Sequence, residues 1–559
     1  GVDVGGTFTD GVLVAPNAVL TAKAPSTPED PARGVLAVVD ALLCTARARP
    51  GQVGRFAHGM TVATNALLEG RGARTALLAT EGFTDISELG RQARPHLYRL
   101  CERSPAPLVP STLRFGARER MGPEGPLLEL TGASAGALIE ELAEAAPEAV
   151  AVSLLHSYAD PAHELLLARL IGERLPDVHL SLSHDLVGTF REYERTATTE
   201  VDAALSPLLS AYLQRLSREC ADRGLPAPEV MQSTGGLSDA AAAASHAART
   251  VLSGPAGGVR GALTLAGLAG MRDVLCFDMG GTSCDVCLIE EGAVAEAAER
   301  TIAGRPLALP ALDIHTVGAG GGSIAWRDPG GALRVGPRSA GAVPGPACYG
   351  RGGGEPTVTD ANLLLGRLPG GLELAGGIRL DRDAAERAIG ALAAQLELGA
   401  VACAEGIVRV AEAEMVRALK VITVERGIDP RRFALMSFGG CGPLHAAAIA
   451  LELGISRVIC PRACGVLSAL GLAVAPPRRD VSRTVLLGGE SFTAERLEHE
   501  RGGLIERVRA ELGAGAGRLK VRYEMRHRGQ SFELAVPGTA EDGPTALCER
   551  FAALHEERY

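Results

Sequence analysis

The sequence predicts an α/β protein of two lobes followed by a smaller C-terminal domain. Three observations carry this. Apolar strand-like runs alternate with helical patterns along most of the chain, the arrangement of an α/β fold. A strand–turn–strand segment at the start recurs in the middle of the chain. From Ser491 the pattern changes to a helix and then strands, which sets off an appended α/β domain. A length of 559 residues calls for several structural units, since domains usually run to roughly 100–200 residues. In chain order the expected segments are 1–183, 184–480 and 481–559.

The elements follow in order. Residues 1–14 alternate apolar and small residues around Gly5-Gly6, the signature of a hairpin. A helix is expected over Pro31–Ala46 and a strand at Thr75–Ala79. Residues 133–172 alternate helix and strand, with Ala149–Leu155 a buried strand. A long helical pattern over 184–222 is expected to break at Pro207, and 229–300 to return to strand. Helices are expected at Asp381–Gln395 and Ala402–Glu425, then strand, Gly-Gly and helix at Ala434–Leu453. The chain opens inside a motif and closes in mid-pattern, so further residues are expected at both ends, and the C-terminal domain is read as truncated.

Composition excludes several classes. The net charge of −10 argues against a polyanion-binding surface, so no nucleic-acid partner is expected. No apolar run approaches the roughly 20 residues of a membrane span, so no membrane partner is expected. Twelve scattered cysteines read as buried thiols of a cytoplasmic protein rather than as a disulfide scaffold. Cys284-x-x-Cys287 sits in a strand, where residues three apart face opposite sides, so a core reading outweighs a metal pair. Cys460-x-x-x-Cys464 and Asp313-Ile-His315 are read in the same bland way.

The repeat carries the chemistry. Asp3-Val4-Gly5-Gly6-Thr7-Phe8-Thr9-Asp10 and Asp278-Met279-Gly280-Gly281-Thr282-Ser283-Cys284-Asp285 share Asp-x-Gly-Gly-Thr-x-x-Asp, 275 positions apart. Glycines let backbone N–H groups approach phosphate oxygens, and the hydroxyls add donors. An Asp before such a turn holds Mg²⁺ through water or orients a nucleophile. One copy alone reads as an ordinary turn; two copies in the same context point to a nucleotide clamped between the lobes. The candidate nucleotide contacts are Gly5, Gly6, Thr7, Thr9 and Asp10 with Gly280, Gly281, Thr282 and Ser283. Other phosphate loops fail. The three lysines, Lys23, Lys420 and Lys520, are followed by Ala or Val, so there is no Walker motif. In Gly318–Ser323 a serine replaces the last glycine of a dinucleotide loop, and a strand-like segment follows. No Gly-x-Ser-x-Gly elbow stands between strand and helix. A third element, Gly439-Gly440-Cys441-Gly442, lies between a strand and a helix and reads either as an adenosine contact or as a tight turn.

Two such hairpins and a later Gly-Gly turn resemble the actin-like (ribonuclease H-like) superfamily of sugar kinases and chaperone ATPases. More specifically, the chain resembles the hydantoinase A/5-oxoprolinase family over nearly its whole length. The residues that carry this are Gly1–Asp10, His58–Gly72, Arg191–Thr199, Ser253–Gly258, Phe277–Asp285, Gly318–Ser323, Gly336–Gly350 with Thr357–Asn362, and Ser437–His445. Thr234, Asp202 and Cys284 depart from the family pattern without removing its acids or glycines. The resemblance implies ATP-dependent activation of a cyclic amide, with Mg²⁺, in a hetero-oligomer whose B-type subunit performs the hydrolysis. Asp3 would organise the hydrated Mg²⁺ and Asp278 would orient the acceptor oxygen, while Gly439, Gly440 and Gly442 would meet adenosine. The same resemblance covers subunits of ATP-dependent ketone carboxylases. A nucleotide switch without chemistry, like a chaperone ATPase, is the third reading. It lacks a β-rich substrate domain with a helical lid.

Further substrate candidates are His58, Thr61, Thr64, Asn65 and Arg91. The first four read as a polar loop that either meets substrate or phosphate or caps a helix at Ala66–Glu69. Arg91 either meets substrate or pairs with Asp85 and Glu88 at helical spacing. Asp360 and Asn362 are expected to cap the helix that follows them, and Arg191–Arg195 to lie on a solvated helix turn.

Overall fold

The structure is a computed structural model, and it describes every residue except 28, 94–97, 99–105, 123–124, 372 and 514–516. Its chain divides into two units that do not follow chain order. The first comprises Gly1–Ala73 and Val201–Pro476, the second Arg74–Glu200 and Pro477–Tyr559. Both Asp-x-Gly-Gly-Thr turns belong to the first unit.

That unit is built on two sheets of like plan. In one, the hairpin Val2–Val4/Phe8–Ala15 is extended by Ala18–Pro25 on one side and by the parallel strands Phe56–Met60 and Pro228–Met231 on the other. In the second sheet, the hairpin Val274–Met279/Cys284–Glu290 has parallel neighbours Ala434–Phe438 and Val458–Ile459. The sequence repeat is thus a topological repeat. The registers agree as well: Asp3 lies opposite Asp10, and Asp278 opposite Asp285.

Alternation along the strands assigns the layers. Leu275, Phe277 and Met279 face a core with helices Ala400–Ile422 and Gly442–Leu453. Val274 and Cys276 face a second core shared with Val12, Ala57 and Met231 of the first sheet. Helices Ser253–Leu268 and Leu467–Val474 fill this inter-sheet layer. They pack backbone to backbone: a Cβ on Gly261 would meet the Leu467 carbonyl at 2.6 Å. By the period of two, Asp278 continues the inter-sheet face. Val2 and Val4 face a third core with helix Pro31–Ala46 and with Leu216 and Cys220, so Asp3 is also turned to the inter-sheet layer. Cys284 and Cys287 fall in different cores, as their spacing in a strand requires.

The second unit holds a four-stranded parallel sheet in the order His179–Leu182, Ala149–Ser153, Thr75–Thr80, Arg114–Ala117. Its C-terminal segment forms helix Ala494–Leu512, hairpin Val521–Met525/Leu534–Gly538 and helix Pro544–Arg558 around Leu497, Val536, Leu547 and Phe551. Among the described residues no single helix is long and apolar enough to cross a membrane.

Three local expectations are corrected. Helix Glu192–Asp222 runs unbroken through Pro207. Burial of Val201, Leu205, Leu209, Leu213 and Leu216 outweighs the ~3 kcal/mol penalty of an internal proline. Residues 253–268 are helical rather than strand, since burial of their glycine-rich face against Leu467–Val474 overrides weak helix propensity. The helix after Thr357 begins at Val358, and Thr357 caps it with Asp360 closing the capping box; Asp360 also accepts from Cys348 N–H at 2.7 Å.

Candidate active site between the two glycine turns

Each turn is closed by an equivalent hydrogen bond, Gly5 N–H to Phe8 O and Gly280 N–H to Ser283 O, both 3.0 Å. The two turns face each other reciprocally. A Cβ on Gly281 would lie 2.9 Å from Thr7 Oγ1, and one on Gly6 3.8 Å from Thr282 Oγ1. Gly6 and Thr282 are exposed at the tips. The first turn is braced by Ser26, whose hydroxyl donates to Gly5 O at 2.7 Å and whose N–H donates to Thr7 O at 3.0 Å. Thr9 is buried behind that turn, 3.4 Å from Ser26 Oγ. The second turn is braced by the Gly318–Ser323 loop, where Gly321 and Gly322 donate to Gly280 O and Gly281 O at 3.0 and 2.6 Å.

The two repeat acids look onto one helix. A Cβ on Gly254 would lie 3.6 Å from Asp3 Oδ1, and one on Gly258 3.1 Å from Asp278 Oδ2. Gly254 and Gly258 stand one turn apart on the same face of Ser253–Leu268, so the missing side chains make room for both carboxylates. On its other side Asp3 abuts Gly59, and Asp278 abuts Gly439. Gly439 has φ +79°, a conformation that favours glycine, and its absent Cβ is what admits Asp278. Ser253, which opens the helix, donates its hydroxyl to Met60 O at 2.7 Å. Leu252 before it is held left-handed at φ +74°, with its N–H on Thr64 Oγ1 at 3.2 Å.

Four carboxylates thus gather with one lysine. Burial, then Asp10, pushes Asp3 up to about 7. Burial, then Asp285 and Asp3, holds Asp278 well above the usual carboxylate range. Burial raises Asp285 to about 6, against a hydrogen bond from Thr316. Burial raises Asp10 as well, opposed by its ion pair with Lys23. Asp3 Oδ1 is buried with no hydrogen-bond partner. An unsatisfied buried carboxylate oxygen, excess negative charge and open glycine backbones together fit a magnesium–nucleotide complex. Asp3 would hold the cation through water, and the two turns would receive phosphate oxygens.

The remaining candidates are dispersed. Gly440 is exposed with open space around it, and Gly442 opens helix Gly442–Leu453. His58 is buried in strand Phe56–Met60 rather than in a loop. Its Nδ1 donates to Val2 O at 3.1 Å, and its Nε2 accepts the Tyr212 hydroxyl at 2.8 Å. Burial lowers it to about 4, so the ring is neutral in this role. The helix expected at Ala66–Glu69 begins at Val62, and Thr61 Oγ1 donates to Val4 O at 3.2 Å instead of capping it. Thr61 and Asn65 line a cavity of about 410 Å³ beside Gly5 and Gly6. Arg91 lies in the second unit, where it makes a double hydrogen bond to Glu194 at 2.6 and 2.7 Å rather than pairing with Asp85 or Glu88. Arg195 is buried, not solvated, and donates to Leu154 O at 2.6 Å.

Sequence reasoning missed Lys23, Ser26, Gly59, Gly254, Gly258 and Tyr212 as site residues. Lys23 could have been found from its register: a hairpin continuing past Asp10 places a lysine opposite it.

The hydantoinase/oxoprolinase N-terminal region matches residues 1–175, and hydantoinase/oxoprolinase matches residues 195–481. Caprolactamase subunit alpha of Pseudomonas jessenii is 36% identical over all of this chain and 83% of its own length. A crystal structure of the ATP-dependent caprolactamase from that organism superposes with a TM-score of 0.86 at 34% identity, covering 100% of this chain and 84% of that one. 5-Oxoprolinase 1 of Arabidopsis thaliana is 34% identical over all of this chain, which spans 48% of that protein. A nucleotide-free acetone carboxylase structure superposes with a TM-score of 0.82 at 28% identity, covering 100% of this chain and 84% of that chain. With both family regions matched in order and the duplicated turn in place, this chain belongs to the hydantoinase/oxoprolinase family.

Proposed function

We propose that this chain transfers the γ-phosphoryl group of ATP to the carbonyl oxygen of a cyclic amide, as the ATP-dependent subunit of a ring-opening hydrolase. The observation that carries the reading is the pair of glycine turns in equal register, each led by an aspartate, facing each other over Gly254 and Gly258. A lactam carbonyl is a poor electrophile, and phosphorylation of its oxygen activates the carbon. Attack of that oxygen on the γ-phosphorus forms an O–P bond and breaks the bond to the ADP oxygen. The ring N–H proton, made acidic by O-phosphorylation, passes to solvent, giving a phosphorylated imidate. Two water molecules then complete the opening. The C–N bond breaks, the amine takes up protons, and phosphate departs with the former carbonyl oxygen.

Bound magnesium would supply charge neutralisation of the phosphates. The residues of this chain position the reactants. Asp3 and Asp10 set the cation side of the site, the backbones at Gly6 and Gly281 receive phosphate oxygens, and Asp278 aligns the acceptor oxygen. An oxygen without a proton needs no base, so Asp278 acts by position and charge. Gly439 and Gly440 offer a flat surface to adenosine. The Gly-x-Ser-x-Gly match at Gly132–Gly136 lies in the first turns of helix Gly132–Glu144, where the Ser134 hydroxyl donates to Thr131 O at 3.0 Å instead of standing on a strand-to-helix elbow, which supports a B-type partner subunit for hydrolysis in a hetero-oligomer. Likeness to acetone carboxylase supports a second reading, in which a ketone-derived enolate oxygen takes the phosphoryl group.

The test is an oxygen-transfer experiment with the chain and its partner subunit. A lactam carrying ¹⁸O at its carbonyl should deliver the label to inorganic phosphate, one atom per turnover. Label retained in the product carboxylate would overturn departure of phosphate by C–O cleavage, and ring opening without stoichiometric ADP formation would overturn carbonyl phosphorylation.

A further inference from the structure

We infer that the cavity beside the first glycine turn is the acceptor site, and that it takes an uncharged ring amide in preference to one bearing a carboxylate. This rests on the carbonyl-phosphorylation reading above and adds a place and a charge rule to it. The cavity of about 410 Å³ lies within the size of small-molecule sites, roughly 300–1,000 Å³. Its floor is Val4, Gly5 and Gly6, at the carboxyl end of the strand that carries Asp3. Thr61 and Asn65 follow the carboxyl end of the adjacent parallel strand. The carboxyl ends of neighbouring parallel strands are where open α/β sheets bind ligands. A ring held here has its carbonyl beside the turn that receives phosphate.

Charge then selects the ring. Two cations line the cavity, Arg71 and Arg215, with three acids, Glu29, Asp30 and Glu69. Arg71 is bound by Glu69 at 2.5 Å. Arg215 is bound by Asp30 and Glu219, both at 2.8 Å. A ligand carboxylate entering this lining meets guanidinium groups already paired with acids and three carboxylates against two cations, an unfavourable charge balance. An uncharged lactam meets no such penalty.

The other lining groups suit such a ring. Leu208, Ala211, Tyr212 and Arg215 recur at one face of helix Glu192–Asp222, three apolar bodies and one paired cation. The Tyr212 hydroxyl is committed to His58, whose Nδ1 is fixed on the Val2 carbonyl, so the phenol ring is held rigidly as an apolar wall. Asn65 donates from Nδ2 to Thr61 Oγ1 at 3.3 Å, and Thr61 in turn donates to Val4 O. This chain orients the amide and leaves Asn65 Oδ1 as the acceptor for a ring N–H.

The test compares two ligands that share a five-membered ring, 2-pyrrolidinone and 5-oxoproline, on the full chain with its partner subunit. ADP release with Mg²⁺-ATP should show kcat/KM for 2-pyrrolidinone at least tenfold above that for 5-oxoproline. Glu69→Gln, which frees Arg71, should narrow that ratio at least fivefold. Ala211→Trp, on an exposed helical position that fills the cavity, should abolish lactam-stimulated ADP release while calorimetry shows unchanged binding of a non-hydrolysable ATP analogue. Leu208→Phe repeats the test should the tryptophan variant not fold. Equal or better use of 5-oxoproline by the unsubstituted protein overturns the charge rule and leaves carbonyl phosphorylation standing. Full lactam-stimulated turnover in the folded cavity-filling variants overturns the location. If no ring amide stimulates ADP release, the proposed function fails. The cavity is then judged by calorimetry with 2-pyrrolidinone alone: binding lost in Ala211→Trp supports it, and absence of binding overturns it.

Discussion

Asp3→Asn should make the nucleotide-free protein more stable and a poorer enzyme. Burial, followed by Asp10, raises Asp3 from 3.8 to about 7, with Lys23 opposing. The sign follows from linkage. A carboxyl whose folded value is raised has its stability fully present below the unfolded value and loses it as pH climbs through the folded one. The window is therefore about pH 4 to 7. At ~1.4 kcal/mol per unit, the penalty of keeping Asp3 grows from about 2 kcal/mol at pH 5 to about 4 kcal/mol at pH 7 and above. Asparagine is nearly isosteric and uncharged, and it fits the same space against Gly59 and Gly254. With an unfolding entropy of about 2.1 cal/mol/K per residue, the gain at pH 8 corresponds to roughly 5 °C across the first unit. Scanning calorimetry at pH 5 and pH 8 reads it directly, and Mg²⁺-ATP should stabilise the unsubstituted protein more than the variant. A variant less stable than its parent at pH 8 without nucleotide would refute the carboxylate-repulsion argument.

Other substitutions separate the remaining roles. Asp278→Asn should keep ATP binding and lower lactam-dependent ADP release by a factor of roughly 10² or more, the usual loss for a positioning group in phosphoryl transfer; near-normal turnover would reduce the second turn to a cradle. Gly281→Val places side-chain atoms against Thr7 Oγ1, which a Cβ alone would approach to 2.9 Å. ATP affinity by calorimetry should fall at least tenfold, in line with overpacking of about 1–3 kcal/mol. Lys23→Met removes the cation paired with Asp10, so the Mg²⁺ concentration giving half-maximal ATP binding should shift several-fold. The purified chain without a partner subunit should release ADP but form no ring-opened product, as followed by amino-acid chromatography.

How far the sequence alone reached depends on whether local pattern or distant packing decides each element. The duplicated turn was legible because hairpin chemistry is local: Asp, two glycines and Thr in fixed spacing impose the same register twice. Helix Pro31–Ala46 was legible for the same reason, with Pro31 at its start and a regular apolar face. The inter-sheet helix Ser253–Leu268 was not, because its glycines weaken the local signal and gain their meaning only from Asp3, Asp278 and the Leu467–Val474 helix. His58 reads as polar and loop-bound in sequence, yet its partners Val2 and Tyr212 lie 56 and 154 residues away. Arg91 fails likewise, since Glu194 is 103 residues distant.

The duplication also explains why two equivalent aspartates need not do equivalent work. Each is followed by the same Gly-Gly-Thr, but their parallel neighbours differ at matched positions. Asp3 stands beside Gly59, and the chain then enters a helix at once, through Met60 and Thr61 to Val62. Asp278 stands beside Phe438, followed by Gly439 and Gly440 before the helix at Gly442. On the first side, the hydroxyl and amide groups of Thr61 and Asn65 line a half-open cavity. On the second side, left-handed Gly439 packs against Asp278 and Met279, and Gly440 is exposed with open space around it. On the proposed function the first half would grip a small polar ring and the second would accept a planar base, with the phosphate chain between the reciprocal Thr7–Gly281 and Thr282–Gly6 approaches. Asymmetry of function arises in the residues after the neighbouring strands, not in the repeated turns, so exchanging the turn sequences between the two hairpins should perturb the site far less than exchanging 60–62 with 439–441.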